Sequence, residues 1–324
     1  MLTLLADLGD ALRLQAGYNA ATLVEWTDHL TDEKKIIWAT ECTPEHPARF
    51  AFESCGYTIL DVHPDWQWAW DERRELFRYL EQMSEGKARL KKLAQLEHDV
   101  HIVLASPLTC ASIHSADSLD RWEAFHLASE AYLEEGIGTA HRKRRLDELA
   151  RQLADHTGVA LVAWDDLSDL LKRLPHARLP EPQGFVPGPS SRLRSLCDLA
   201  LRLEGEHDWG HLCDMLLGEV GDAITPRAEL LYAVSGVYLG AGDVSSARSL
   251  LQQAETKLDG VSHTIIGLIY ARLGLVCDCL GDRPAAILAY QKTLEQTASQ
   301  VALECARLGL EQPFTLEDGP NVGI

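Results

Sequence analysis

Polar and reactive side chains follow several short apolar segments in the first half of the chain. The segments KKIIWATEC, YTILDVHP, VHIVLASP and VALVAWDD each read as a buried strand. The carboxyl ends of parallel strands share one edge of a sheet, so we expect a polar crevice there. The alternative is that these strands end in polar residues because they reach solvent. The residues at the predicted edge are Glu41, Cys42, Asp61, His63, Asp65, Ser106, Cys110, Asp165 and Asp166.

Two of these residues suggest nucleophilic catalysis. Cys110 and His63 each follow an apolar segment, and a cysteine nucleophile needs a nearby base to become a thiolate. Asp61 precedes the histidine and would complete the catalytic group. The arrangement is similar to that of caspase-like proteases, although His63 lacks a following glycine and Cys110 lies in LTCAS. In the alternative interpretation, His63 is a polar strand end and Cys110 is a packing residue.

Metal and cofactor motifs are weak. Cys42, His46, Cys55 and His63 have the spacing C-x3-H-x8-C-x7-H, which is not a usual zinc pattern. Neither a P-loop nor a G-x-G-x-x-G turn occurs in the sequence. We therefore expect no metal centre and no cofactor.

The elements that must position these residues form two structural classes. Strands alternating with helices predict a small, mainly parallel, three-layer α/β domain over residues 31–173. Two helices are expected before it, within residues 1–30. The segment 174–190 is rich in proline and reads as a semi-rigid linker. Helical periodicity follows, so the predicted fold class is α/β plus all-α.

A repeat is visible in the helical part. GDVSSARSLLQQA and GDRPAAILAYQKT each place an alanine, Ala247 or Ala286, five residues after a Gly-Asp turn. This pattern resembles the tetratricopeptide repeat, in which small residues recur where helices cross closely. The resemblance implies an array of α-hairpins over residues 191–312 and a tail over 313–324, with both alanines buried. A generic bundle of α-hairpins is the alternative.

The register of the array predicts a groove that binds a helix from a protein partner or from this chain. The predicted inward residues are apolar or acidic, and a single one of them is basic. Such a groove suits the apolar face of an amphipathic helix. The candidate partner-binding residues are Arg194, Tyr232, Leu239, Leu275 and Asp278.

Charge and composition limit the function further. The formal net charge of −19 disfavours nucleic-acid binding. The first ten residues contain acids, and we expect neither a signal peptide nor a membrane segment, so a cytoplasmic location is expected. The sequence favours a protein-interaction adaptor or regulatory protein. The alternative is an α/β effector enzyme that uses the array as a sensor or docking arm.

Overall fold

The chain divides into a sheet-containing unit and a helical unit. The computed structural model describes residues 1–40, 45–62, 67–133, 137–203, 207–296 and 299–315, and the side chains of residues 137–140 are not described. The sheet-containing unit comprises Met1–Ala48 and Gly56–Pro187, and the helical unit comprises Arg49–Cys55 and Gly188–Ile324.

Parallel strands form the centre of the sheet-containing unit. Within the described residues the sheet has five strands in the order β3-β2-β4-β1-β5, and every strand pair is parallel. The central strands are apolar on successive residues, as expected when both faces of a sheet are covered. The strands are β1 (Leu2–Asp7), β2 (Lys35–Ala39), β3 (Thr58–Asp61), β4 (Gly158–Ala163) and β5 (Ala177–Arg178).

Helices connect these strands, and the longest run of them separates β3 from β4. Short 3-10 helices span Gly9–Leu14 and Trp164–Asp166. The α-helices before the helical array are α1 (Ala20–Leu30), α2 (Pro47–Ser54), α3 (Gln67–Glu81), α4 (Ser84–Ala105), α5 (Cys110–Ile113), α6 (Ala116–Leu133), α7 (Ile137–Leu153) and α8 (Leu167–Arg173).

The prediction of a helix at the start of the chain is wrong. Residues Leu2–Asp7 form β1, which pairs with β4 on one side and with β5 on the other. Leucine has a high intrinsic helix propensity, but all six residues of this strand are buried in the sheet. Tertiary context therefore overrides the local preference, and the sheet begins with the first residues of the chain.

The segment VHIVLASP is the second difference from the sequence prediction. It is not a strand, because residues up to Ala105 belong to α4 and Ser106 follows that helix. Helix α4 begins at Ser84 and meets no proline before Pro107. The β-branched residues Val100, Ile102 and Val103 therefore continue an established helix. Strand propensity is strongly context-dependent and does not stop it.

The helical unit consists of helices that pack against their neighbours along the chain. Gly242 and Gly281 have φ values of 81° and 75°, a left-handed conformation that glycine adopts without steric cost. Asp243 follows the first of these glycines and caps the next helix by accepting from the backbone N–H of Ser246. The helices are α9 (Pro189–Arg202), α10 (Trp209–Gly218), α11 (Arg227–Gly240), α12 (Val244–Glu255), α13 (His263–Cys279), α14 (Arg283–Gln296) and α15 (Gln300–Glu311).

The predicted groove residues lie largely inside this unit. Arg194, Tyr232 and Asp278 are buried, so they are not available to line an open groove. Arg194 forms ion pairs with Asp198 at 2.7 Å and Glu229 at 2.9 Å. Leu239 and Leu275 are half-buried against the core. The partner-binding assignment is therefore wrong for the three buried residues, because they lie inside the helical unit.

Small residues fit closely at the helix crossings. Ala247 and Ala286 have no exposed surface, as the repeat register predicts. Tyr290 is also fully buried, and its ring lies against Gly274 and Gly309. A Cβ atom added to either glycine would lie 2.3 Å from a carbon of that ring. The position of the Tyr290 ring therefore requires glycine at Gly274 on α13 and at Gly309 on α15.

The substitution Gly309→Ala tests this packing. Alanine is favoured over glycine in a helix by about 1 kcal/mol, but the clash with Tyr290 costs about 1–3 kcal/mol, as overpacking does. We expect a net loss in the free energy of unfolding, measured by urea denaturation. Gly218→Ala is the control, because its added Cβ meets nothing within 4 Å. Equal stability of the two variants would contradict the packing described for Tyr290.

Candidate functional site

A cavity of about 430 Å³ lies at the carboxyl ends of the strands in the sheet-containing unit. The chain leaves β2 toward β3 at one edge of the sheet and leaves the adjacent β4 toward β5 at the other. Neighbouring strands whose connections diverge in this way open a crevice, which is where parallel sheets bind ligands. Residues from the ends of β1, β2 and β4 and from helices α3, α4, α6 and α7 line the cavity.

Asp7 forms the floor of the cavity. Its Oδ1 accepts the backbone N–H of Gly9 at 2.9 Å. Its Oδ2 accepts the hydroxyl of Thr40 at 2.8 Å and lies 2.9 Å from Nε2 of His46. The backbone N–H of Ala48 donates to Nδ1 of His46, so the proton of this imidazole is on Nε2 and points to Asp7. Both nitrogens of His46 are engaged, which leaves no free base to activate Thr40.

The backbone just before Asp7 is held by two side chains. Nε2 of His114 accepts the N–H of Ala6 at 3.1 Å, and the hydroxyl of Tyr18 donates to the carbonyl of Ala6 at 2.6 Å. Strand β5 pairs with β1 only at Leu2 and Thr3, so these side chains bond the open edge of β1 beyond β5. Burial lowers the pKa of His114 to about 4, and the imidazole is therefore neutral at physiological pH.

A second polar group follows β4. Asp166 is buried, and Nη2 of Arg145 and Nη2 of Arg142 lie 2.6 Å and 3.2 Å from its Oδ1. Arg142 also contacts Asp169 at 2.7 Å. Burial and the neighbouring Asp165 raise the pKa of Asp166, while the two arginines oppose that shift. The guanidinium groups on this wall are therefore already paired with carboxylates.

Aromatic rings form a second wall of the cavity. Trp122 packs edge-on against Trp164 at 5.3 Å and stacks on His126 at 6.0 Å. Trp164 is fixed because its Nε1 donates to the carbonyl of Ile113 and to the hydroxyl of Ser118. Nε2 of His126 lies 3.0 Å from the carbonyl oxygen of Asp165. Burial and the nearby Arg142 lower the pKa of His126 to about 4, so this histidine is also neutral.

Three polar atoms of this region lack a hydrogen-bond partner among the described residues. They are Nε1 of Trp122, Oγ of Ser129 and Nε of Arg142, and each is buried although its residue lines the cavity. A buried donor without an acceptor costs about 1–3 kcal/mol. A ligand or an ordered water in the cavity would supply the missing partner.

The sequence-predicted site residues are not brought together here. Asp165 lines the cavity, but Ser106 follows helix α4 and Cys110 begins helix α5. Asp61 is exposed at the end of β3, outside the cavity lining. Four further candidates, Glu41, Cys42, His63 and Asp65, lie outside the described residues.

The chemistry predicted for Cys110 is also contradicted. Its side chain is buried, and burial raises the pKa of the thiol to about 12. A nucleophilic cysteine requires the opposite shift, toward a thiolate at neutral pH. The cysteine-hydrolase mechanism therefore loses its activated nucleophile, and Cys110 has the packing role of the alternative interpretation.

Sequence reasoning missed most of the cavity lining. Asp7 would follow from reading residues 2–7 as a strand that ends in an acid. His126 and Arg142 lie within helices, where no local pattern separates them from other polar residues. Among the described residues, no cluster of histidine, cysteine, aspartate or glutamate is arranged to hold a metal ion.

Comparisons with known proteins add no relative. No family model matches the sequence, and neither a curated protein nor a solved structure shows significant similarity to it. In the part of the chain that the structure describes, no helix has the length and apolar character needed to cross a bilayer.

Because His114 is neutral in the folded protein, we expect the free energy of unfolding to depend on pH. The folded-state pKa of about 4 lies below the ordinary value of 6.5, so the unfolded chain binds a proton that the folded chain refuses. The contribution of His114 is therefore present above pH 6.5 and is lost as the pH falls toward 4, by about 3 kcal/mol at most.

We expect His114→Gln to flatten the fall in the free energy of unfolding between pH 6.5 and pH 4, measured by urea denaturation at several pH values. His156→Gln is the control, because His156 lies on a half-buried turn after α7 and bonds through its backbone N–H. Parallel pH profiles for the parent and the His114 variant would contradict this account.

Proposed function

We propose that the sheet-containing unit is a receptor for a small organic ligand. The observation that carries this proposal is the cavity of about 430 Å³ at the diverging strands β2 and β4. Small-molecule sites enclose about 300–1,000 Å³ and combine apolar walls with a few placed polar groups. Here the rings of Trp122, Phe125 and Trp164 supply the apolar wall, and strand ends supply the polar groups.

For Asp7, His46 and Cys110, a binding role fits better than a catalytic one. A general base needs a free nitrogen or carboxylate oxygen within reach of the substrate. Asp7 and His46 spend their acceptors and donors on each other, on Thr40 and on the backbone. The thiol of Cys110 is protonated at neutral pH, as its raised pKa requires. These groups support a preorganised pocket and do not supply a nucleophile.

For the helical unit we propose an adaptor role, in which a tetratricopeptide-like array binds a helical segment of a partner protein. Support comes from the buried Ala247 and Ala286 at equivalent repeat positions and from the Gly-Asp turns before them. The negative net charge favours a partner helix that carries basic residues. For the sheet-containing unit we propose in addition a three-layer arrangement, with helices on both faces of the sheet. The parallel pairing of its strands supports this arrangement.

A blocked cavity tests the receptor proposal. Leu133 lines the cavity on α6, so Leu133→Trp should fill it. Leu127→Trp is the matched control, because Leu127 lies on the same helix with 69% of its surface exposed. We expect a library of small aromatic and polar compounds to yield ligands that raise the melting temperature of the parent and the control.

The Leu133→Trp variant should lose that response while keeping its helical circular dichroism. Native mass spectrometry of the gently purified protein gives an independent measurement of any molecule bound. If the two tryptophan variants respond alike, or if no compound raises the melting temperature of the parent, the receptor proposal is wrong.

A peptide series tests the adaptor proposal. We expect the full chain to bind a basic amphipathic helical peptide, with an affinity that falls modestly as salt rises, measured by fluorescence anisotropy. The control peptide differs only in two central residues, which are replaced by proline to prevent a helix while the charge is kept. Equal binding of the two peptides would indicate nonspecific attraction to the acidic chain and would contradict recognition of a helix.

A further inference from the structure

Most charged side chains that line the cavity form ion pairs with other side chains of the protein. Arg142 and Arg145 form ion pairs with Asp166, and Arg73 forms one with Glu97 at 3.1 Å. Glu130 likewise lies 3.4 Å from Lys143. These groups already have partners, so a ligand must compete with existing ion pairs to use them.

Two carboxylates of the lining differ from this pattern. Asp10 and Asp165 have no lysine or arginine partner in the part of the chain that the structure describes. Asp10 is exposed, and 37% of the side chain of Asp165 is exposed. Nε2 of His126 lies 3.6 Å from the carboxylate of Asp165 and is uncharged at neutral pH, and Nη2 of Arg142 donates to the backbone carbonyl of Asp165 at 3.2 Å. The unpaired charge of the cavity is therefore negative, which favours a donor or a cation in the ligand.

The aromatic wall lies beside this negative charge. Trp122 stacks on the imidazole of His126, and that imidazole contacts Asp165. Trp70 adds a ring at the cavity with 54% of its surface exposed. Indole faces attract flat rings by stacking and attract cations through the ring quadrupole. A planar ligand on this wall would reach Asp165 with a substituent at its edge.

The buried donors define the other requirement. Nε1 of Trp122, Oγ of Ser129 and Nε of Arg142 lack acceptors, and all three belong to cavity-lining residues on α6 and α7. An acceptor atom of a ligand, reached after a small shift of these side chains, would supply a missing hydrogen bond. The wall therefore favours an aromatic ring that carries an acceptor as well as a donor.

We propose that the cavity selects a planar heteroaromatic amine, a ring with an amino donor and an adjacent nitrogen acceptor and without an acidic group. Resting on the proposed receptor function, this inference assigns the amino group to Asp165 and the ring to the aromatic side chains of the lining, among them Trp122 and Trp70. Asp10 adds a second negative charge at the same cavity.

An anionic ligand is the competing class. The three arginines of the lining would suggest a phosphate or carboxylate if they were free. They are paired, and Asp7, Asp10 and Asp165 would repel a second anion in the same space. The amine is therefore favoured, and binding of an acid is the outcome that would overturn the assignment.

Matched ring pairs distinguish these classes with the full-length protein. The first pair is adenine and purine-6-carboxylate, with unsubstituted purine as the reference compound. The second is 2-aminoquinoline and quinoline-2-carboxylate, with quinoline as reference. By isothermal titration calorimetry we expect the amine to bind about tenfold more tightly than its reference, as one charge-assisted hydrogen bond provides. We expect the acid to bind more weakly than the reference.

Substitution of the carboxylate gives the second measurement. Asp165→Asn removes the charge at nearly constant size, so the amine should lose its advantage of about tenfold while the reference compound keeps its affinity. Asp155→Asn is the matched control, because Asp155 is exposed after α7 and does not line the cavity. Circular dichroism and the melting temperature of both variants establish that they fold.

The outcomes separate this inference from the receptor proposal. If an acid binds more tightly than its matched amine, or if Asp165→Asn leaves the amine preference unchanged, the amine assignment is wrong. The receptor function survives in that case, provided that Leu133→Trp abolishes the binding. If neither amine binds although other compounds occupy the cavity, the assignment is likewise wrong. Failure of every compound removes the receptor proposal itself.

Discussion

The carboxylate of Asp7 is the junction on which the candidate site depends. Three groups donate to this carboxylate: the backbone N–H of Gly9, the hydroxyl of Thr40 and Nε2 of His46. His46 in turn accepts the backbone N–H of Ala48. These contacts join the end of β1 to the residue after β2 and to the start of α2. A buried carboxylate is tolerated only when its oxygens are bonded. Hydrogen bonds within the protein therefore hold Asp7 in place at the strand ends.

The electrostatic character of the cavity follows from pairing and not from composition. Its lining contains three arginines, which would suggest an anion site if residues were merely counted. The buried Asp166 engages two of them and holds α7 against the residues after β4. Removing one partner of a buried ion pair costs about 3–5 kcal/mol, so these arginines are held in place. The negative charge that remains belongs to Asp10 and Asp165, which form no ion pair with a lysine or arginine among the described side chains.

The sequence predicts the sheet better than it predicts the site. Strands β2, β3 and β4 follow from short apolar runs rich in β-branched residues, and the Gly-Asp turns follow from glycine's freedom at positive φ. Strand β1 and the end of α4 do not follow, because a leucine-rich segment of six residues and a β-branched helix end mislead local rules. Cavity residues such as His126 come from helices far apart in sequence. Their convergence depends on packing, which no local pattern encodes.

The buried charges of the helical unit explain why register alone gave the wrong binding residues. A repeat register identifies the positions that face neighbouring helices, but it cannot tell an open groove from a closed crossing. Here Arg194 reaches Glu229 across 35 positions, and Asp278 accepts from Arg283, from the hydroxyl of Tyr290 and from the backbone N–H of Phe314. Polar side chains at these positions join successive helices and the residues that follow α15. A partner of the proposed adaptor would therefore meet the exposed surface of the helical unit, where Leu288, Val301 and Leu308 are accessible.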